Sequence, residues 1–240
     1  MLSKKKDIWI VISLCVLAFY IVFMIYPLGI LFKNAVIENN GDFTFAYFAK
    51  FLSKNYYFST IFNSFKVSLA ATALTLIIGT PLAYFYNMYK IKGKTFLQII
   101  IILCSMSAPF IGAYSWILLL GRNGLITNTI KNLTGFNFPS IYGFGGILLV
   151  LCMQLYPLVF LYVSGALRNI DNSLLEASEN MGCTGAKRFF KIIIPLCIPT
   201  ILAAALMVFM RAFADFGTPL FIGEGYRTFP VEIYNQFMNE

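Results

Sequence analysis

The sequence predicts an all-α fold, a polytopic membrane helix bundle of about five transmembrane helices with its N-terminus in the cytoplasm. Three observations carry that prediction. Of 240 residues, 59% are hydrophobic, against roughly 45–50% in an ordinary soluble domain. Only 12% are charged, too few to solvate a water-facing surface. Mean hydropathy is +0.78, and the apolar residues gather in runs long enough to cross a hydrocarbon core of about 30 Å, which takes about 20 helical residues.

The elements follow in chain order. Residues 1–7 form a cytoplasmic N-terminus carrying Lys4, Lys5 and Lys6, and the first span covers 8–32. Its apolar run exceeds a signal-peptide core and lacks a small-residue cleavage site, so it is read as a retained helix. An extracytoplasmic loop at 33–60 precedes the membrane core at 61–240, with spans expected at Ile61–Met88, Phe96–Leu120, Ile141–Leu167 and Ile192–Phe213. Gly79–Pro81, Ser107–Pro109 and Tyr156–Pro157 fall within these spans. Proline frees a carbonyl and bends the axis, which suits kinked helices around a cavity.

Charge placement orients the bundle. Lys4 to Lys6, then Lys90, Lys92 and Lys94, then Arg168, Lys187, Arg188 and Lys191 fall in alternate loops. Lysine and arginine are denser there than in 33–60 and 121–140, which places those loops inside the cell. The net charge of +8 is therefore read as membrane topology and not as a nucleic-acid footprint. Five spans leave the C-terminal "GEGYRTFPVEIYNQFMNE" outside, as an amphipathic surface tail or the approach to a sixth helix that the chain lacks.

Catalytic chemistry has few candidates. Histidine is absent, Cys15, Cys104, Cys152, Cys183 and Cys197 form no CxxC pair, and neither HExxH nor GxSxG occurs. No metal site is expected. Gly93–Lys94–Thr95 suggests a phosphate loop, but the required first glycine is Met88. This chain is not expected to bind ATP or to be an enzyme.

One polar stretch interrupts the apolar pattern, "EASENMGCTGAKRFFKIIIP" at residues 176 to 195, within a cytoplasmic loop spanning about 169–195. Ser173 three residues before Glu176 predicts a capping box, and Gly182 predicts the helix stop. Leu174, Ala177 or Ser178, and Met181 share one face at helical spacing. The stretch is expected to form a helix, a turn and the start of the next span.

These residues carry a resemblance. Glu176-Ala177-Ser178, Gly182 and Ile192-Ile193-Ile194-Pro195 resemble the EAA loop of the inner-membrane permeases of ABC importers, with Ser178 replacing alanine and Ile194 replacing leucine. The resemblance covers the chain from about residue 60. It implies that Ser173, Glu176, Ala177, Ser178, Gly182 and Pro195 belong to an ATPase-coupling loop. It implies a type I permease fold and a prokaryotic inner-membrane, multi-pass location. It also implies cytoplasmic ABC ATPase subunits that bind ATP and Mg, an extracytoplasmic solute-binding protein, and a second permease half or copy.

A second stretch, "MRAFADFGTPLFIGEGYRTFP" at residues 210 to 230, puts Arg211 and Asp215 four apart, where a helix would pair them. Arg211, Asp215, Gly217, Pro219 and Tyr156 are the candidate pathway or gate residues. "ADFGTP" with "GYRTFPVEIYNQF" resembles the permeases of iron(III) importers and of relatives carrying phosphonates, thiosulfate or polyamines. That resemblance implies iron(III) as cargo and a chain that is one half of a longer permease or cut short. An ion-coupled secondary transporter or channel is the competing class; no internal inverted repeat supports it.

Overall fold

The structure, a computed structural model, describes residues 3–37, 42–89, 92–106, 108–135 and 140–239. Lys90 and Ser107 lie outside the described residues. The chain divides into two compact units, Met1–Phe58 and Ser59–Glu240. In the first, helix α1 (Ser3–Tyr20) passes through a π-helical turn at Ile21–Ile25 into Tyr26–Val36, and a short helix α2 (Ala46–Ser53) follows. Ile8–Val36 is long and apolar enough to cross a membrane, with a hydropathy of 2.9 over its most apolar window.

The second unit contains helices α3 (Asn55–Met88, whose first turn belongs to the first unit), α4 (Lys94–Ser105), α5 (Pro109–Leu120), α6 (Leu125–Thr134) and α7 (Phe144–Arg168). They are followed by α8 (Asn172–Asn180), α9 (Gly185–Ala214, including a π-helical turn at Phe189–Ile193), α10 (Gly217–Ile222) and α11 (Phe229–Asn239). Helix α7 is the centre: 56% of its most apolar window is buried, against 28% for α3 and 22% for α9. The latter two turn residues such as Ile77, Leu202 and Leu206 outward. Such an apolar exterior is what a lipid-facing helix presents.

The buried residues of α3 are mostly small: Thr60, Ser64, Ser68, Ala71, Thr75, Gly79 and Ala83 recur at helical spacing along one stripe. Small residues let backbones approach closely, which is how helices associate where lipid tails remove the hydrophobic driving force. At Gly79 the approach is close: a Cβ there would sit 2.8 Å from Val159 Cβ and 3.1 Å from the Tyr156 carbonyl oxygen. Two hydroxyls on the stripe are satisfied within their own helix, Ser68 Oγ donating to the Ser64 carbonyl at 2.7 Å and Thr75 Oγ1 to the Thr72 carbonyl at 2.9 Å. Further along, Asn87 Nδ2 donates to Ser164 Oγ of α7 at 3.0 Å, and the Tyr86 ring packs edge-on against Phe160.

Not every proline acts as the sequence suggests. Pro81, Pro157 and Pro199 lie inside unbroken helices. Pro195 does not interrupt the helical path either; it follows the π-helical turn, whose wider backbone accommodates the missing N–H and the ring. The third expected span, in contrast, is broken. Helix α4 ends at Ser105, Ala108 is extended (φ −65, ψ 138) as a residue before proline prefers, and Pro109 opens α5. The axis turns by 104° between Lys94–Ser105 and Phe110–Thr134. At about 1.5 Å rise per residue, neither 12-residue half reaches across a bilayer core.

The C-terminal segment is fastened to the N-terminal part of α3. Phe229 N–H donates to Ser64 Oγ at 2.8 Å and Asn63 Nδ2 to the Arg227 carbonyl at 3.1 Å. Arg122 pairs with Glu224 and stacks over the Tyr142 ring. The expected surface tail is thus a helix, α11, whose N-terminus is tied to α3.

Replacing Gly79 by valine is expected to destabilise the bundle by about 1–3 kcal/mol through overpacking against Val159. The readout is the thermal unfolding midpoint in detergent. Gly165→Ala, where nothing lies within 4 Å of the added Cβ, serves as the control and should leave it unchanged.

Candidate functional site

The polar stretch folds as helix α8, a turn and the start of α9. The cap differs from the expected box: Asp171, not Ser173, is the N-cap, and its Oδ1 accepts from the Ser173 N–H at 2.9 Å. Ser173 and Glu176 therefore lie two residues further into the helix, where Glu176 cannot reach back to the cap. Aspartate outcompetes serine here because Asp171 is extended (φ −64, ψ 127) while 172 onward is helical. Those hydrogen bonds hold the Asp171 carboxyl below the usual carboxylate range.

At the other end Gly182 has φ +73, and the chain closes in a Schellman pattern. Gly182 N–H donates to the Glu179 carbonyl and Cys183 N–H to the Ser178 carbonyl, each at 2.9 Å. The glycine stop expected from sequence is the one observed.

The two faces of α8 divide sharply. Leu175 packs against the core and Ser178 is 2% exposed, its Oγ donating to the Leu175 carbonyl at 2.7 Å. Serine in place of alanine therefore buries no unsatisfied hydroxyl. Leu174 and Met181 are 51% and 80% exposed, and Glu176 and Ala177 are also exposed. Glu179 reaches Arg188 across the turn at 3.5 Å, tying α8 to the first turn of α9.

The second site lies at the break between α4 and α5. A cavity of about 360 Å³ is lined by Ser105, Leu151, Gln154, Leu155, Arg211, Ala214 and Asp215. A neighbouring one of about 270 Å³ is lined by Cys104, Ser115, Trp116, Gln154 and Tyr156, among others, so Gln154 borders both. The expected Arg211–Asp215 pair does not form, although both residues face one cavity. Helix α9 ends at Ala214 and Asp215 is extended (ψ 123), which removes the shared helical face. Its carboxylate instead accepts from the Thr218 N–H at 3.1 Å, at the start of α10. Arg211 is exposed and, among the described residues, has no hydrogen-bond or ion-pair partner.

Gly217 and Pro219 are not cavity residues; they are buried in α10, which packs against α5 and α7. Tyr156 borders the smaller cavity only. Sequence reasoning missed Gln154 and Ser105. The signal for Gln154 was present, a lone amide inside the apolar run "GILLVLCMQLYPLVF". Ser105 becomes visible only with the helix break. Among the described residues, no group of three His, Cys, Asp or Glu side chains converges as a metal site would require.

Long apolar helices around a central one, a capped polar helix and a cavity at a helix break define a polytopic membrane protein. The chain belongs to the family of binding-protein-dependent transport system inner membrane components, whose model matches residues 75–240. Over 97% of its length it is 29% identical to a Haemophilus influenzae protein named as a ferric transport system permease, of which it spans 38%. It is 24% identical, over its whole length, to a Salmonella typhimurium protein named as a 2-aminoethylphosphonate transport system permease, of which it spans 84%. The fold matches a chain of a bacterial alginate ABC transporter, solved in complex with its alginate-bound periplasmic protein, with a TM-score of 0.80 at 16% identity over 98% of this chain and 85% of that one.

Because the folded Asp171 carboxyl titrates below its unfolded value, its capping contribution is present above the ordinary carboxylate range and lost as pH falls through the folded value. Amide protection in α8, corrected for intrinsic exchange rates, should fall on acidification. Asp171→Asn should retain the cap and abolish that pH dependence.

Proposed function

We propose that this chain is the transmembrane permease subunit of an ATP-driven ABC importer, taking a small solute from an extracytoplasmic solute-binding protein and lining its route with a second permease half or copy. The observation that carries the reading is the division of α8. One face is sealed to the bundle through Leu175 and Ser178, and the other offers Leu174, Ala177, Met181 and Glu176 to a partner.

In this reading the partner is a cytoplasmic ATPase subunit, which binds ATP and Mg and does the hydrolysis; the permease itself is not an enzyme. The mechanical route runs through this chain's own residues. A push on α8 passes through the Gly182 turn and the Glu179–Arg188 contact into α9. That helix runs unbroken for 30 residues, about 45 Å, and carries Arg211 near its far end. Movement at the coupling turn is thereby delivered to the cavity as a displacement of Arg211 and Asp215 against the helix break.

Iron(III) is the first cargo reading, supported by the likeness to the ferric transport permease. A phosphonate is the second, favoured by the unpaired Arg211 in the cavity and the likeness to the phosphonate transport permease.

With the transporter assembled in membranes, Met181→Glu and Leu174→Glu should each reduce ATP-driven uptake by about tenfold or more and weaken copurification with the ATPase, leaving membrane insertion intact. Undiminished uptake in both variants would sink the coupling assignment. Uptake driven by an ion gradient in vesicles lacking any ATPase would favour the secondary-transporter class instead.

A further inference from the structure

The cavity at the α4–α5 break holds an arrangement that the fold does not explain. A guanidinium next to a carboxylate in a largely apolar bundle is ordinarily paired, because an isolated charge is costly there. Arg211 and Asp215 line the same cavity without pairing, Asp215 being committed at one oxygen to the Thr218 N–H. Gln154, half-buried on the central helix, also has no hydrogen-bond partner for its amide among the described residues. Ser105 donates to the Ile102 carbonyl at 2.6 Å and keeps its acceptor lone pairs free. A guanidinium fork from α9 and an amide NH₂ from α7, lining one cavity, make a donor set matched to an oxyanion, and about 360 Å³ lies at the small end of the range of small-molecule pockets.

We propose that this cavity is a transit subsite for a solute bearing an oxyanion, with Arg211 and Gln154 donating to its oxygens and the free Asp215 oxygen facing any cationic end. The inference rests on the permease reading and narrows its cargo. Bare iron(III) would need several oxygen ligands, preferably anionic, and the cavity lining supplies one carboxylate, Asp215, beside the neutral oxygens of Ser105 and Gln154. A polyamine would need carboxylates spaced along it, and Arg211 repels it. Two sources supply the oxyanion: an organophosphonate, or an iron(III) chelate whose carboxylates face outward. A single guanidinium and an amide bind such groups weakly, which suits a site that must release its cargo.

The test is calorimetric titration of the full chain in nanodiscs with methylphosphonate, 2-aminoethylphosphonate, ferric citrate and putrescine. A Trp9→Phe background leaves Trp116, which borders the adjoining cavity, as a fluorescent reporter of where binding occurs. Binding of at least one oxyanion probe and none of putrescine is expected. Arg211→Gln should weaken it by about tenfold or more, Gln154→Leu by less, and Arg211→Lys should restore part of it. Asp215→Asn separates the sources. It weakens 2-aminoethylphosphonate while sparing methylphosphonate if the cargo is a zwitterion, and it tightens ferric citrate if the cargo is an anionic chelate; either result supports the subsite.

Preference for putrescine, absence of binding by every oxyanion probe, or oxyanion binding unmoved by Arg211→Gln overturns the proposal. No ATPase enters the titration, so failure of coupled uptake in the assembled transporter is read separately from failure of the subsite.

Discussion

The approach of α3 to α7 at Gly79 sets the distance on which the packing of the second unit depends. Two helices in lipid gain nothing from burying apolar side chains against each other rather than against acyl tails, so packing contacts must hold them. The small-residue stripe of α3 brings its backbone onto Val159 and Tyr156 of α7, and the Asn87–Ser164 hydrogen bond adds a polar tie one to two turns further on. Helix α7 becomes the most buried element, and α4, α9 and α10 pack on its remaining sides.

That arrangement explains why a broken span is tolerated. Where α4 ends and α5 begins, backbone groups near the Ser105–Pro109 break need partners that lipid cannot supply. The break lies against α7 and beside a cavity, the two surroundings in which non-helical backbone survives at membrane depth. The same break admits Arg211, Asp215 and Gln154 to one space. Irregular backbone and polar side chains occur together because each needs an environment from which lipid is excluded.

Helix α9 links this region to the Gly182 turn. Its path stays continuous because the π-helical turn before Pro195 accommodates the proline. The direction of the chain changes instead at the Schellman turn, where a left-handed glycine joins α8 to α9 and the Glu179–Arg188 contact spans the joint.

Much of this was legible in the sequence, and for identifiable reasons. Apolar run length alone reported the helices Ile8–Val36, Asn55–Met88, Phe144–Arg168 and Gly185–Ala214, and the stretch from Glu176 to Pro195 was legible as a helix, a turn and the start of the next helix. Gly182 was recognisable because only a left-handed turn there lets α8 stop. The exact cap was not, since Asp171 and Ser173 have similar capping chemistry and the choice rests on where the backbone turns extended. The Arg211–Asp215 pair was misjudged because four-residue spacing implies contact only while the helix continues, and it ends at Ala214. What the sequence determined by itself is the class of protein, its membrane spans and the glycine stop of α8, because apolar length and glycine stereochemistry are local properties. What only the tertiary structure decided is which proline breaks a helix and which polar residues meet at that break, because both depend on how closely α7 and its neighbours approach.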